Sequence, residues 1–73
     1  MKTINSDDYK CLICRLRQAR KDAGYNQIQA ANALGYTQSF ISKCESGERR
    51  IDVIELQKFC RLYNKSIFFF LPE

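Results

Sequence analysis

Two glycines near the middle of the chain limit what can form between them. Gly35 and Gly47 are twelve residues apart, which leaves room for only about three turns of helix. A helix this short is marginal on its own, because most helical stability in proteins comes from packing against neighbours. The chain has one proline and three glycines in 73 residues, and this scarcity of turn residues favours helices over a sheet-rich fold. We therefore expect several short helices that stabilise one another by packing.

Each apolar segment is preceded by a polar residue that can cap a helix and is followed by a residue that can end one. An N-cap side chain accepts a hydrogen bond from a free backbone N–H, and glycine or asparagine tolerates the left-handed conformation at the other end. The predicted N-caps are Ser6, Asn26, Thr37 and Asp52. The predicted C-terminal ends are Gly24, Gly35, Gly47 and Asn64. Gln29 and Glu55 follow two of these N-caps at the spacing of a capping box. Four helices are expected, the first over residues 7–23.

Apolar residues recur within these segments at the three- and four-residue spacing of one helix face. The residues expected to face inward are Leu12, Leu16, Ala19, Ala23, Ala30, Ala31, Leu34, Ile41, Cys44, Val53, Leu56, Phe59, Cys60, Leu62 and Tyr63. A fifth helix is expected over residues 67–71, capped by Ser66, although the aromatic residues there also suit a strand. Ile67, Phe70 and Leu71 are expected to join the core of this all-α fold.

Length and charge set the class of protein. A chain of 73 residues has room for one core, so we expect a flexible N-terminus at residues 1–6 and a single domain over residues 7–73. The net charge is +4 and the pI is about 9.0, which indicates a nucleic-acid partner only if the basic residues share one surface. The longest apolar run, residues 67–71, is too short to span a bilayer. We expect a soluble, cytoplasmic protein without a membrane partner.

The four cysteines do not match a common metal site. Cys11 and Cys14 form a C-x-x-C pair, whereas Cys44 and Cys60 stand alone. A zinc ribbon needs a second such pair, and without histidine a zinc site would take all four thiolates. Cys44 and Cys60 fall on predicted inward faces, where cysteine packs as a small apolar side chain. A thiol-redox or zinc enzyme built on Cys11 and Cys14 is an open alternative.

No catalytic constellation is visible in the sequence. Histidine is absent, the carboxylates are spread along the chain, and no glycine-rich loop could hold a phosphate group. We therefore expect no catalytic residues, no metal and no cofactor.

The segment GYNQIQAANALGYTQSFISKCESGERR, residues 24–50, resembles the helix-turn-helix core of the lambda-repressor-like (XRE) family of DNA-binding domains. The residues that match the family pattern are Gln27, Ala31, Leu34, Gly35, Gln38, Ile41, Glu45 and Gly47. The resemblance extends more loosely over most of the chain, and it implies five helices with the third lying in the major groove. Ala30 replaces a leucine and Ile28 a polar residue of the family pattern, and Phe68 and Phe69 replace residues that are commonly polar.

The resemblance also implies which residues meet DNA. The implied base-reading residues are Gln38, Ser39, Ser42 and Lys43. Glutamine can pair with adenine through two hydrogen bonds, and lysine can donate to guanine. The implied phosphate-binding residues are Asn26, Gln27, Thr37, Arg49, Arg50 and Arg20. The role expected for Arg20 is mainly structural, as an ion pair with Glu45 that ties two helices together. The alternative is that the polar residues of the third helix are simply solvated.

Double-stranded DNA is therefore the expected partner, bound by a small transcriptional regulator of bacterial or phage origin, a repressor. Specific affinity normally comes from two units on half-sites one helical turn apart, so we expect a homodimer on a palindromic operator. Phe68 and Phe69 are the expected dimer interface, because a short helix cannot turn five consecutive apolar residues inward. Packing of these rings against the first helix and Tyr9 is the alternative. A second hypothesis is an antitoxin-type protein that binds a partner protein through its apolar C-terminus and autoregulates its own operon.

Overall fold

The computed structural model describes residues 6–71, and it contains four α-helices in that range. They are α1 (Asp7–Asp22), α2 (Gln27–Leu34), α3 (Gln38–Ser46) and α4 (Val53–Tyr63), and a short 3-10 helix follows at Ile67–Phe69. The described residues contain no strand, so the predicted all-α class is confirmed. A flexible N-terminus is expected at residues 1–6, and residues 1–5 of it lie outside the described range. Ser6 caps α1 by accepting a hydrogen bond from the Tyr9 N–H at 3.2 Å.

The predicted fifth α-helix is wrong in type and length, and so is the strand alternative. Ser66 does cap this segment, since its hydroxyl accepts from the Phe68 N–H at 3.2 Å. Only three residues continue as a 3-10 helix. The side chain of Phe70 is fully buried directly after them, and a chain that must place that ring in the core leaves the helical path after a single turn.

The predicted caps of α2, α3 and α4 are confirmed. Asn26 and Gln29 bond to each other's backbone N–H groups at 2.8 and 2.9 Å, and Asp52 and Glu55 do the same at 2.7 and 3.0 Å. Thr37 accepts from the third residue after it, at 3.0 Å. These bonds satisfy backbone donors that the helices cannot satisfy internally.

One helix ends at a glycine whose backbone conformation and surroundings both disfavour a larger residue. Gly47 closes α3 with φ of 85°, and a Cβ added there would stand 2.9 Å from the Cδ1 of Ile13. A larger residue would meet both the left-handed backbone conformation and the side chain of α1. Gly47 therefore lets α1 and α3 approach each other closely.

The core lies where the four helices meet, and its largest fully buried side chains are Leu16, Ile41, Cys44, Phe59 and Phe70. Ala30 and Ala31 are also buried, at 0% and 2% exposed. Small side chains at these positions let α2 pack close to its neighbours. No helix among residues 6–71 has the length and apolar character that crossing a membrane requires.

Three of the residues predicted to face inward do not. Val53 is 66% exposed and Leu71 is 36% exposed, and Ala23 is exposed at the end of α1. Val53 is the first residue of α4, and Ala23 and Leu71 lie just beyond the ends of their helices, where the periodicity that predicts burial no longer decides the direction of a side chain. In contrast, Tyr9 and Ile13 were not predicted to be buried, and each is only 7% exposed.

Candidate nucleic-acid interface

The helix-turn-helix pair α2–α3 presents one polar surface. Gly35, Tyr36 and Thr37 form the short turn, with Gly35 in the left-handed conformation at φ of 75°. The residues predicted to read bases lie on the outer side of α3, with Gln38, Ser39 and Lys43 exposed and Ser42 half-buried. Positions separated by three or four residues share a helix face, so α3 brings these four side chains together.

A chain of hydrogen bonds joins the core to this surface. Arg20 donates to both carboxylate oxygens of Glu45, from Nε at 2.7 Å and from Nη2 at 3.0 Å. Gln27 donates from Nε2 to the same carboxylate at 3.1 Å. The Oε1 of Gln27 then accepts from the Nε2 of Gln38 at 2.6 Å. The predicted Arg20–Glu45 ion pair is confirmed, and the two glutamines extend it to the exposed face.

The chemistry of the carboxylate fixes the direction of every bond in this chain. An ionised carboxylate can only accept hydrogen bonds, so Gln27 must turn its amide N–H towards Glu45. Its carbonyl oxygen is thereby left to accept from Gln38. Within residues 6–71, one N–H and the carbonyl oxygen of the Gln38 amide have no other hydrogen-bond partner, and a donor beside an acceptor is the pattern that pairs with adenine in the major groove. The buried ion pair thus determines what Gln38 presents to solvent.

Arg20 itself lies inside the protein rather than on its surface. It is 9% exposed, and its remaining bonded group, Nη1, donates to the carbonyl oxygen of Tyr25 at 3.0 Å. The hydrogen bonds to Glu45 raise the pKa of Arg20 above its ordinary value, so this guanidinium carries its charge throughout the working range of pH. The contacts of Arg20 are those of a structural residue.

Two of the expected phosphate contacts, Asn26 and Thr37, are exposed at the starts of α2 and α3, but their side-chain oxygens already accept hydrogen bonds from the backbone. Asn26 accepts from the N–H of Gln29, and Thr37 accepts from the N–H of Phe40. An anion at the start of α2 would therefore meet the remaining free N–H groups of the first turn, where the helix dipole also favours negative charge.

The basic loop after α3 is held in place by aromatic rings. The guanidinium carbon of Arg49 lies 4.5 Å from the ring centroid of Phe40, and that of Arg50 lies 4.5 Å from the ring of Tyr9. The Tyr9 hydroxyl accepts from the N–H of Ile51 at 3.0 Å and donates to the carbonyl of Arg49 at 3.4 Å. These contacts, for which the sequence carries no signal, tie the loop to α1 and to α3.

Arg49 is also paired with a carboxylate. Its two Nη atoms donate to the two carboxylate oxygens of Glu55, at 2.8 and 3.0 Å. The hydrogen bond from Arg49 lowers the pKa of Glu55 below its ordinary value. Arg49 keeps 42% of its side chain exposed, so it remains open to a second anion.

The predicted dimer residues do not form an exposed pair. Phe68 is 77% exposed, but Phe69 is half-buried, with its ring 5.2 Å from Phe70 in an edge-on arrangement. Arg15 of α1 donates to the carbonyl oxygen of Phe69 at 2.7 Å, and its guanidinium lies over the Phe69 ring at 5.6 Å. Phe69 thus contacts α1 through Arg15. Tyr9, the α1 residue that was the alternative partner of these rings, contacts the basic loop instead.

Two further exposed apolar side chains belong to α4. Val53 and Ile54 are 66% and 58% exposed. They line a groove of about 300 Å³ together with Gln57, Cys60 and Ile67. The exposed Phe68 directly follows Ile67 in the chain. We call the five groove residues together with Phe68 the apolar face, and none of these six side chains carries a charge.

The four cysteines are free thiols with three degrees of burial. Cys44 is buried, and burial raises the pKa of its thiol to about 11. Burial also raises the pKa of the half-buried Cys60. Cys11 is half-buried and Cys14 is exposed. Among residues 6–71, no cysteine, aspartate and glutamate side chains cluster in a group of three that could hold a metal ion.

Comparison with known proteins identifies a family and a similar solved structure. A helix-turn-helix family model matches residues 16–70. Among solved structures, the chain is similar to an XRE-family like protein from Pseudomonas syringae pv. tomato str. DC3000, with a TM-score of 0.81 and 45% sequence identity. That match covers 92% of this chain and 82% of the other. No curated protein matches the chain significantly. The family model spans α2, α3, α4 and the turn on which the interface is built.

Proposed function

The chain belongs to the XRE family of helix-turn-helix DNA-binding regulators, and we propose that it is a repressor that binds a palindromic operator as a homodimer. In this proposal α3 enters the major groove and reads base edges, as the second helix of such a pair does. Repression follows from occupation of the operator. The single observation that carries the proposal is the hydrogen-bonded chain from Arg20 to Gln38, because it prepares an exposed amide for adenine.

Base reading is assigned to four side chains of α3. Gln38 offers its free N–H to N7 of adenine and its carbonyl oxygen to the N6 amino group. Lys43, one turn further on and exposed, donates to the oxygen and nitrogen acceptors of guanine. Ser39 and Ser42 supply hydroxyl groups that can donate or accept. The preformed bond between Gln38 and Gln27 supports this assignment, since an amide that is already oriented loses less freedom on binding.

Phosphate binding is assigned to the two ends of the helix-turn-helix pair. Asn26, Gln27 and Thr37 bring the first turns of α2 and α3, with their free N–H groups, to the DNA backbone. Arg49 and Arg50 lie in the loop at the other end, and each is supported by an aromatic ring. Charged contacts of this kind give affinity and register without reading sequence.

Dimerisation is assigned to the apolar face. Val53 and Ile54 begin α4 directly after the basic loop, so a dimer contact there lies close in the chain to the proposed phosphate contacts Arg49 and Arg50. The six side chains carry no charge, and two copies can therefore meet without like-charge repulsion. The same face supports the antitoxin-type alternative, in which another protein covers it.

Gln38 gives the direct test of base reading. Selection from a random duplex pool supplies the preferred site, and the Gln38→Ala variant should lose about 1–3 kcal/mol of binding free energy on it and relax the preference at one base pair. Gln18→Ala is the matched control, because Gln18 is an exposed glutamine whose side chain bonds, among the described residues, only to Asp22 of the same helix. If the Gln38 variant selects the same sites with the same affinity, α3 is not the reading helix in the way proposed.

Sedimentation equilibrium tests the dimer. Ile54→Ser should shift the parent protein from dimer towards monomer, and so should Phe68→Ser. Ile28→Ser is the control, since Ile28 on α2 is 60% exposed and Ile54 is 58% exposed. If Ile54→Ser and Ile28→Ser have the same monomer–dimer equilibrium, the apolar face is not the dimer interface. A monomeric parent that co-purifies with an unrelated chain would favour the antitoxin-type alternative.

A further inference from the structure

We infer that the groove between α1 and α3 seats a DNA phosphate, held by Lys10 and Arg17. The inference rests on the proposed function, because it extends the DNA-binding surface from the helix-turn-helix pair onto α1. It adds two cationic contacts on α1, outside the helix-turn-helix pair itself.

The groove has a volume of about 480 Å³ and is open to solvent. Lys10, Cys14 and Arg17 form its α1 wall, and Gln27, Ser42 and Ser46 are among the residues on the opposite side. Residues spaced by four and three positions lie along one face of a helix, so the two cations flank the thiol of Cys14. The other wall offers hydroxyl and amide groups, which are suitable partners for phosphate oxygens.

The charge inside the groove is positive. Glu45 also lines it, but its carboxylate is neutralised by Arg20 at 2.7 Å. Lys10 and Arg17 take part in no ion pair among the described residues. In addition, the Nε of Arg17 is buried and has no hydrogen-bond partner within residues 6–71. A buried N–H without an acceptor is costly, and a phosphate oxygen would supply that acceptor.

The groove is continuous with the proposed reading surface. Gln27 lines the groove and also accepts the hydrogen bond from Gln38 at 2.6 Å. Ser42 belongs both to the groove and to the outer side of α3. A strand whose base pairs with Gln38 therefore has its backbone beside Gln27, at the mouth of the groove. An open, cationic channel in this position fits a polyanion that runs along it better than an enclosed small molecule.

Charge removal on α1 is the first test. Arg17→Gln should weaken binding to every duplex alike and reduce the slope of log K against log salt concentration by about 0.9, the value for one lost phosphate contact. Arg61→Gln is the control, because Arg61 is exposed on α4 and its side chain makes no hydrogen bond or ion pair within the described residues. Equal slopes for the two variants would overturn the inference.

The exposed thiol of Cys14 allows a second test without changing Lys10 or Arg17. Two thiosulfonate reagents of similar size, one leaving a sulfonate and one a trimethylammonium group, are attached in a Cys11→Ser/Cys60→Ser background. If the groove holds a phosphate, the negative label should weaken DNA binding much more than the positive label. Equal loss with both labels would mean simple steric blocking, and no loss with either would mean that DNA does not enter the groove.

Inorganic phosphate separates a DNA contact from a site for a free anion. A rise in the melting temperature with phosphate that Arg17→Gln abolishes, while DNA binding stays unchanged, would assign the groove to a free anion and overturn the inference. Failure of the proposed function looks different, because the parent itself would then bind no duplex. If the parent binds duplex DNA and loses affinity with Gln38→Ala but not with Arg17→Gln, only the α1 contact is wrong.

Discussion

The two arginine–glutamate pairs of this protein have nearly the same geometry and very different surroundings. Arg20 and Glu45 bond at 2.7 and 3.0 Å, and Arg49 and Glu55 bond at 2.8 and 3.0 Å. The first pair keeps only 10% and 4% of its side chains exposed, against 42% and 15% for the second. The hydrogen bonds alone therefore do not distinguish the two pairs.

Burial decides what each pair can do. The inner pair cannot exchange its partners for water, so it holds α1 against α3 and orients the glutamines that reach the surface. The outer pair lies beside solvent, where a salt bridge contributes little because water and salt screen it. Arg49 can leave Glu55 for a phosphate group at small cost. The inner pair holds the interface residues in a fixed position, and the outer pair can exchange its partner at the edge of the interface.

The largest expected effect comes from breaking the inner pair. Glu45→Gln leaves the buried charge of Arg20 without a counter-ion and should lower the free energy of unfolding by about 3 kcal/mol. Glu55→Gln, the same change in the outer pair, should cost less than about 1 kcal/mol. Urea denaturation followed by circular dichroism measures both. Equal losses would show that burial does not separate the two pairs.

An intermediate effect is expected on DNA binding, and it should have opposite signs for the two members of the outer pair. Arg49→Ala should weaken binding to all duplexes and reduce the salt slope by about 0.9. Glu55→Gln should tighten binding on all duplexes, because it removes a negative charge and releases Arg49. Fluorescence anisotropy with one specific and one random duplex measures this. A loss of affinity with Glu55→Gln would mean that the carboxylate positions Arg49 rather than competing for it.

The smallest effect is a pH dependence of the outer pair. The hydrogen bond from Arg49 lowers the pKa of Glu55 from 4.5, so the folded protein holds this carboxylate ionised to lower pH than the unfolded chain does. The stabilisation is present above pH 4.5 and is lost as pH falls through the lowered pKa. The difference in unfolding free energy between the parent and Glu55→Gln should therefore shrink in acid. If the difference in unfolding free energy stayed the same at all pH values, the lowered pKa of Glu55 would not contribute to stability.

The helix boundaries were predictable because each depends on residues close together in sequence. The capping box of Asn26 and Gln29 spans three residues, and so does that of Asp52 and Glu55. The resemblance to the XRE family added the pairing of Arg20 with Glu45, which spacing alone does not suggest. The burial of Phe68 and Phe69 was not predictable, because a run of apolar residues gives no indication of which ring is covered.

By itself the sequence determined the order and limits of the four α-helices and the polar outer side of α3, since capping and helical periodicity act over a few residues. Only the tertiary structure decided which side chains of different helices bond to one another. Gln38 bonds to a residue 11 positions away, Gln27 to one 18 away and Arg20 to one 25 away. Whether such groups meet, and whether water is excluded when they do, depends on how the helices pack, because the strength of a charged contact is set by its surroundings as much as by its partner.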